Sequence, residues 1–331
     1  MIKVRQVLLC SAVPFFFLAA SCVRENSSRK QDIHVQQMFG FPNQEFGYEL
    51  GVSACYAGII GNKLVMAGGC NFAGKSAAEG GSKYFYKGIY TAEITEDSVL
   101  VWKQVGELPS PVAYGVSISR SGEMILIGGN NADGGLTSVF RLKLAEDGGA
   151  ILDTLPSLPF AQDNMSGAAS GNTIYVAGGN RNGSPSTSML SLNLNEPELG
   201  WKEEVPFPGT ARVQPVCAVQ DGMLYLWGGF CPSQNGGEAS VATDGYRYLP
   251  LQEQWEPVPA PAVAETGEPL TLTGGTSCVW SDSIILCTGG VDKDIFLDAI
   301  SGDYKRIAKE DYLLQPVAWY RFNGRLMAYN T

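Results

Sequence analysis

The stretch MLYLWGG, Met223 to Gly229, is an apolar run closed by a glycine pair, and the chain carries four more of the kind. LVMAGG ends at Gly69, MILIGG at Gly129, TIYVAGG at Gly179 and IILCTGG at Gly290. The spacings from pair to pair are 60, 50, 50 and 61 residues. Self-similarity at a period near 50 residues marks a radial array in which each repeat is one four-stranded sheet, a β-propeller. No helical pattern follows any pair, so these are not phosphate-binding loops. A residue without Cβ lets the backbone turn at positive φ and lets neighbouring sheets approach closely.

The fourth repeat shows the unit in full: VQPVCAV, a turn at Gln220-Asp221-Gly222, MLYLWGG, a loop with Gly236 and Gly237, Tyr246-Arg247-Tyr248, then Gln254 to Pro259. Short strands separated by Gly, Asn and Asp turns are what antiparallel hairpins need. The predicted fold is therefore an all-β, kelch-type β-propeller, with blades at 54–108, 112–159, 161–208 and 211–259. A fifth blade begins near Gly275, and after an insertion it resumes from Phe322 to Thr331 as a third strand. Trp102, Trp201 and Trp255 recur in the outer strands, with Leu152 in that place in the second repeat, and read as packing between blades. His34 to Pro42 (HVQQMFGFP) is similar to the outer strand Trp102 to Pro109 (WKQVGELP), so it is expected to close the ring by pairing with C-terminal strands. By the repeat length, a six-bladed ring lacks about 40 to 60 residues, leaving about five blades and an incomplete C-terminal end.

Lys3 and Arg5, the apolar run Val7 to Ala20 and the small residues Ala19-Ala20-Ser21 before Cys22 have the order of a bacterial lipoprotein signal. Residues 1–21 are read as that signal, Cys22 as the lipidation site, 22–32 as a polar tether and 33–331 as the propeller. The expected location is outside the cytoplasm, lipid-anchored to a bacterial membrane on its periplasmic side or at the cell surface, with contact to the membrane only through Cys22. Without residues 1–21 the chain has 21 Lys and Arg against 33 Asp and Glu, a net of −12, which argues against nucleic acid as a partner. Cys55, Cys70, Cys217, Cys231, Cys278 and Cys287 fall as one pair in each of three blades, and read mainly as small apolar core residues. There is no CxxC and no Cys/His cluster, so no metal site is expected.

His34 is the only histidine, which excludes a Ser-His-Asp triad and disfavours sites built from several imidazoles. Acid–base work must come from other groups. Propellers present ligand groups at the channel mouth, from the start of each innermost strand and the loop after the glycine pair. Fourteen residues before the first glycine of each pair stand Ala54, Tyr114, Asn164, Gln214 and Gly275, and after the pairs come Asn130 and Arg181 among others. Tyr114, Asn130, Asn164, Arg181, Arg212 and Gln214 are the candidate substrate-binding residues. Amides and a phenol read hydroxyls, and an arginine holds a carboxylate, so the residues suit a carboxylated or hydroxylated sugar, a small-molecule sugar acid among them, with no cofactor expected.

The blocks GVSACYAGIIGNKLVMAGGCNFAG, PVAYGVSISRSGEMILIGG, FPGTARVQPVCAVQDGMLYLWGGF and CTGGVDKDIF resemble the cyclically permuted mutarotase family, kin of the bacterial N-acetylneuraminate epimerases. The resemblance implies a six-bladed enzyme that interconverts the anomers of N-acetylneuraminate, with a Glu after a glycine-rich turn and an Arg six residues on as its catalytic pair. Neither is placed in these 331 residues, and the permuted order assigns them to a blade beyond Thr331. Arg212 and Gln214 match the family's ARxQ-like rim segment and carry over as binding residues. The alternative is a non-catalytic kelch lipoprotein that binds glycan or protein.

Overall fold

The computed structural model describes residues 5–6, 16–21, 34–234 and 237–331. Each glycine pair closes the second strand of an antiparallel sheet. Blade one is Tyr56–Ile60, Lys63–Ala67, Gly88–Glu93 and Lys103–Glu107. Blade two is Val116–Arg120, Glu123–Ile127, Val139–Leu144 and Ala150–Thr154. Blade three is Ser166–Ser170, Thr173–Ala177, Met189–Asn193 and Lys202–Glu203. Blade four is Val216–Gln220, Met223–Trp227, Gly245–Leu249 and Gln254–Pro257. Blade five has three strands, Thr276–Ser281, Ile284–Thr288 and Leu326–Asn330, and its second and third strands are bridged by an insertion carrying the helix Lys293–Ile300.

The runs before the glycine pairs are apolar throughout because both faces of each sheet are covered. In Lys63–Ala67 the alternation of a strand sends Leu64 and Met66 to one core and Val65 and Ala67 to another. The cores are the seams between blades. Val65 and Ile89 meet Met124 and Leu126 across the first, and Ile125 and Ile127 meet Ile174 and Val176 across the second. Tyr175 and Met189 meet Leu224 and Tyr248 across the third, and Tyr225 and Trp227 meet Ile285 and Cys287 across the fourth. The outer-strand tryptophans tie the second and third seams with one further bond each: Trp201 donates to the Pro156 carbonyl at 2.8 Å and Trp255 to that of Val205 at 2.9 Å. Leu152, in the second blade's outer strand, packs against the first seam.

Both glycines of every pair have positive φ. At Gly68 (φ 65°) a Cβ would lie 2.4 Å from the Val112 carbonyl oxygen of the next blade, so glycine is required there. The second glycine's N–H bridges the seam: Gly69 donates to Val112 at 2.7 Å, Gly129 to Gln162 at 2.8 Å and Gly179 to Arg212 at 2.8 Å.

The segment after His34 packs against blade one. Trp102 donates to the Gly40 carbonyl at 3.2 Å, Leu100 N–H donates to Phe39, and Tyr90 donates to Glu45 at 2.6 Å. Tyr248 makes the matching bond to Glu204 of the preceding blade at 3.1 Å. Among the described residues, however, His34–Gln37 pairs antiparallel with Phe16–Ser21 and not with a C-terminal strand as expected. Cys22 and the tether lie outside the described residues. The six body cysteines are free thiols; burial pushes those of Cys217 and Cys287 up to about 12, so they stay protonated as core side chains. Among the described residues, no group of His, Cys, Asp and Glu could hold a metal ion, and no helix is long and apolar enough to cross a membrane.

Candidate functional site

Two residues before each innermost strand the backbone turns through the left-handed region: Ala54 (φ 57°), Tyr114 (62°), Asn164 (53°), Gln214 (51°) and Gly274 (70°). Each N–H from the second blade on donates to the carbonyl of its counterpart in the blade before. Tyr114 bonds Ala54 at 2.9 Å, Asn164 bonds Tyr114 at 2.7 Å, Gln214 bonds Asn164 at 2.7 Å and Gly274 bonds Gln214 at 3.2 Å. This backbone arc lines the top of the central channel. The fifth member is Gly274 rather than the expected Gly275, because a bulge between Val279 and Ser281 adds one residue to the strand that follows.

Below the arc the channel encloses about 550 Å³ and is walled by hydroxyls of Ser117, Ser166, Thr276 and Ser277. Above it opens a polar mouth of about 520 Å³, lined by Tyr114, Asn130, Asn164 and Gln214 together with Lys83, Asn131 and Asp163. Its side chains form two groups, an amide–carboxylate chain and a Lys83–Tyr114 pair. Gln214 Nε2 donates to Asn164 Oδ1 at 2.9 Å, Asn164 Nδ2 to Asp163 Oδ1 at 2.6 Å, and Asn180 Nδ2 to the same oxygen at 2.7 Å. Lys83 Nζ lies 2.5 Å from the Tyr114 hydroxyl and 4.5 Å from its ring centre. Burial raises the Tyr114 phenol above its ordinary value and Lys83 only partly offsets it, so the hydroxyl stays protonated at neutral pH.

Four of the six candidates thus converge, and two do not. Arg181 leaves the mouth to stack on Phe160, 3.9 Å from the ring centre, and bonds Glu203 at 3.0 Å. Arg212 is 1% exposed and holds blade four together: it bonds Asp244 through two nitrogens, the Thr210 carbonyl through Nε, and the Gly228 carbonyl through Nη1. Lys83, not either arginine, is the cation lining the mouth. The signal that could have found it is the spacing. The turn between Asn131 and Gly134 has two residues and that between Asn71 and Tyr84 has twelve, which is the whole ten-residue excess of the first repeat. The excess length is therefore a loop on the mouth, and Lys83 ends it. Asp163 was missed because its neighbour Asn164 occupies the aligned position.

Five radially arranged antiparallel sheets, each closed by a glycine pair and sharing a polar channel mouth, define a kelch-type β-propeller. The chain matches the sequence profile of the N-acetylneuraminate epimerases over residues 18–151 and 155–331, and it belongs to that family. It is 32% identical over 185 residues to the N-acetylneuraminate epimerase of Salmonella arizonae, covering 54% of this chain and 46% of that protein. It is 31% identical over 183 residues to that of Haemophilus influenzae strain PittEE, covering 53% and 46%. The chain thus spans about half the length of these curated relatives. The solved structure of YjhT superposes with a TM-score of 0.63 at 12% identity, covering 88% of this chain and 92% of the other, and shares the fold.

Proposed function

We propose that the channel mouth binds N-acetylneuraminate and that the protein interconverts the anomers of this sugar. The observation that carries this reading is the convergence of Tyr114, Asn164 and Gln214 from three successive blades, facing Lys83, on one polar cavity in a chain of this family. Opening the hemiketal ring needs a proton delivered to the ring oxygen while the anomeric hydroxyl loses one, with the sugar held still between. Amides supply the holding, because each both donates to and accepts from hydroxyls. The test is proton NMR of the pure α-anomer with and without the full chain. Equilibration faster than the spontaneous rate is expected, and an unchanged rate with folded protein ends the catalytic reading.

A non-catalytic, sugar-binding role is favoured by one observation. Asp163, among the described residues the single carboxylate lining the mouth, is 6% exposed and its Oδ1 already accepts two amide bonds, which suits positioning better than proton abstraction. Saturable binding without anomer exchange is its signature. Export and anchoring through Cys22 are inferred from the order of residues 1–22 alone. Incorporation of a labelled fatty acid that disappears in Cys22→Ser is the expected result.

A further inference from the structure

We propose that Lys83 and Tyr114 together form an anion seat that holds the carboxylate of the sugar acid and sets the preference of the mouth for an acid over a neutral sugar. The proposal rests on the reading of the mouth as a sugar-binding site, and three observations support it.

The first is a backbone conflict. The arc of left-handed residues needs only an N–H, a carbonyl and a positive φ at each position, and blade five meets that need with Gly274. A side chain in this conformation is disfavoured by about 1 kcal/mol, a strain that asparagine tolerates better than most and tyrosine does not. Tyr114 does not recover it by filling a core, since the ring is half-buried and lines both the mouth and the channel. A large aromatic at a glycine-like position, with its hydroxyl turned into a polar cavity, points to a role in that cavity.

The second is the state of Lys83. Among the described residues no carboxylate pairs with it, whereas Lys87 pairs with Glu107, Arg181 with Glu203 and Arg212 with Asp244. Its ammonium donates one hydrogen to the phenol oxygen, which leaves two ammonium hydrogens available, while the phenol O–H also has the Cys70 thiol within hydrogen-bonding reach. Those donors match the two oxygens of a carboxylate. The loop that presents Lys83 is ordered by its own capping box, in which Ser76 and Glu79 bond each other's backbone N–H.

The third is the polarity across the cavity. Asp163 enters the mouth beside Asn164 at the start of blade three, whereas Lys83 comes from the loop of blade one, so a ligand carboxylate is repelled by the one and drawn to the other, which leaves its hydroxyls and amide to Asn164 and Gln214.

The test is calorimetric titration of the full chain with N-acetylneuraminate and with its methyl ester, which is the same sugar without the charge. The wild type is expected to favour the acid by at least about tenfold, as for a charge-assisted contact. Lys83→Met is expected to bring acid and ester within about twofold, and Tyr114→Phe to lose part of the preference. Because Lys83 is exposed, the melting temperature of Lys83→Met is the check that its fold is intact. A preference that survives in Lys83→Met overturns the seat. Equal binding of acid and ester by the wild type overturns it too, but leaves the mouth as a sugar site. Binding of neither removes both readings.

Discussion

Arg212 and Gln214 stand two residues apart in the segment that enters blade four, yet they belong to polar clusters of opposite kinds. Arg212 is sealed, with Asp244, two carbonyls and the Phe207 ring around its guanidinium. Gln214 is open, with its amide in a cavity wall. Residues two apart in an extended strand would share a face, but the left-handed turn at Gln214 (φ 51°) breaks that pattern, so Arg212 stays with its partners inside blade four while Gln214 lines the channel mouth. A polar residue near a ligand-binding mouth is therefore a site candidate only if its hydrogen-bonding capacity is left over after the fold has been served.

The comparison breaks most visibly at Arg212. Arg212→Ala removes a buried cation with three kinds of partner. Complete burial of an ion pair would put the loss near 3–5 kcal/mol, and the 39% exposure of the Asp244 side chain trims it to about 3 kcal/mol. Denaturant unfolding is expected to show that loss, and a change below about 1 kcal/mol would show that the clamp is dispensable. Acid adds an independent reading. Burial pushes the Asp244 carboxyl up, but hydrogen bonds and charge from Arg212, helped by Tyr246, outweigh it and hold it below its ordinary 3.8. A depressed folded-state value contributes stability above the unfolded value and loses it as the pH falls through the folded one. Wild-type stability should thus drop further between pH 5 and pH 2 than that of Arg212→Ala, and parallel acid profiles would remove Asp244 from the account.

At the seams the effect is smaller. Gly68→Ala places a Cβ 2.4 Å from the Val112 carbonyl oxygen at φ 65°, and a loss of about 2 kcal/mol is expected from strain and the forced shift of that strand entry. A neutral result would mean that the seam relaxes freely and that the glycine pairs mark the period without enforcing it.

Sequence periodicity made these seams legible, because the doublets, the two-faced apolar runs and the outer tryptophans each answer to a local rule. It also placed Tyr114, Asn164 and Gln214 on one rim. It misassigned the cation: Arg181 and Arg212 lie beside rim positions in the chain, and only the register and the identity of Asp244 and Glu203 as partners show that both are engaged elsewhere. Lys83 hid in a loop that no repeat alignment covers, although the length of that loop was readable. Gly274 was displaced by one because a bulge leaves no mark in a strand of ordinary composition.

Gln214→Gly sharpens the contrast from the other side. The change relieves a left-handed glutamine, worth about 1 kcal/mol, and gives up one bond to Asn164 of similar size. Stability should stay within about 1 kcal/mol of wild type while affinity for the sugar acid falls. A folded variant with full affinity would exclude Gln214 from the site.

The smallest expected effect is at Arg181. Its pair with Glu203 is solvent-exposed on both sides, 41% and 55%, and such pairs contribute less than about 1 kcal/mol. Its stacking on Phe160 adds a comparable amount at most, and that part should resist salt whereas the ion pair should not. Arg181→Ala is therefore expected to lower stability by about 1 kcal/mol or less, with a salt-dependent share, and to leave the acid-over-ester preference of the mouth intact. If the preference instead collapses, the guanidinium must leave Glu203 for the ligand, and the carboxylate is held by two cations from different blades. A loss confined to Lys83→Met would instead show that proximity along the chain misleads, and that the ammonium from the blade-one loop does the holding.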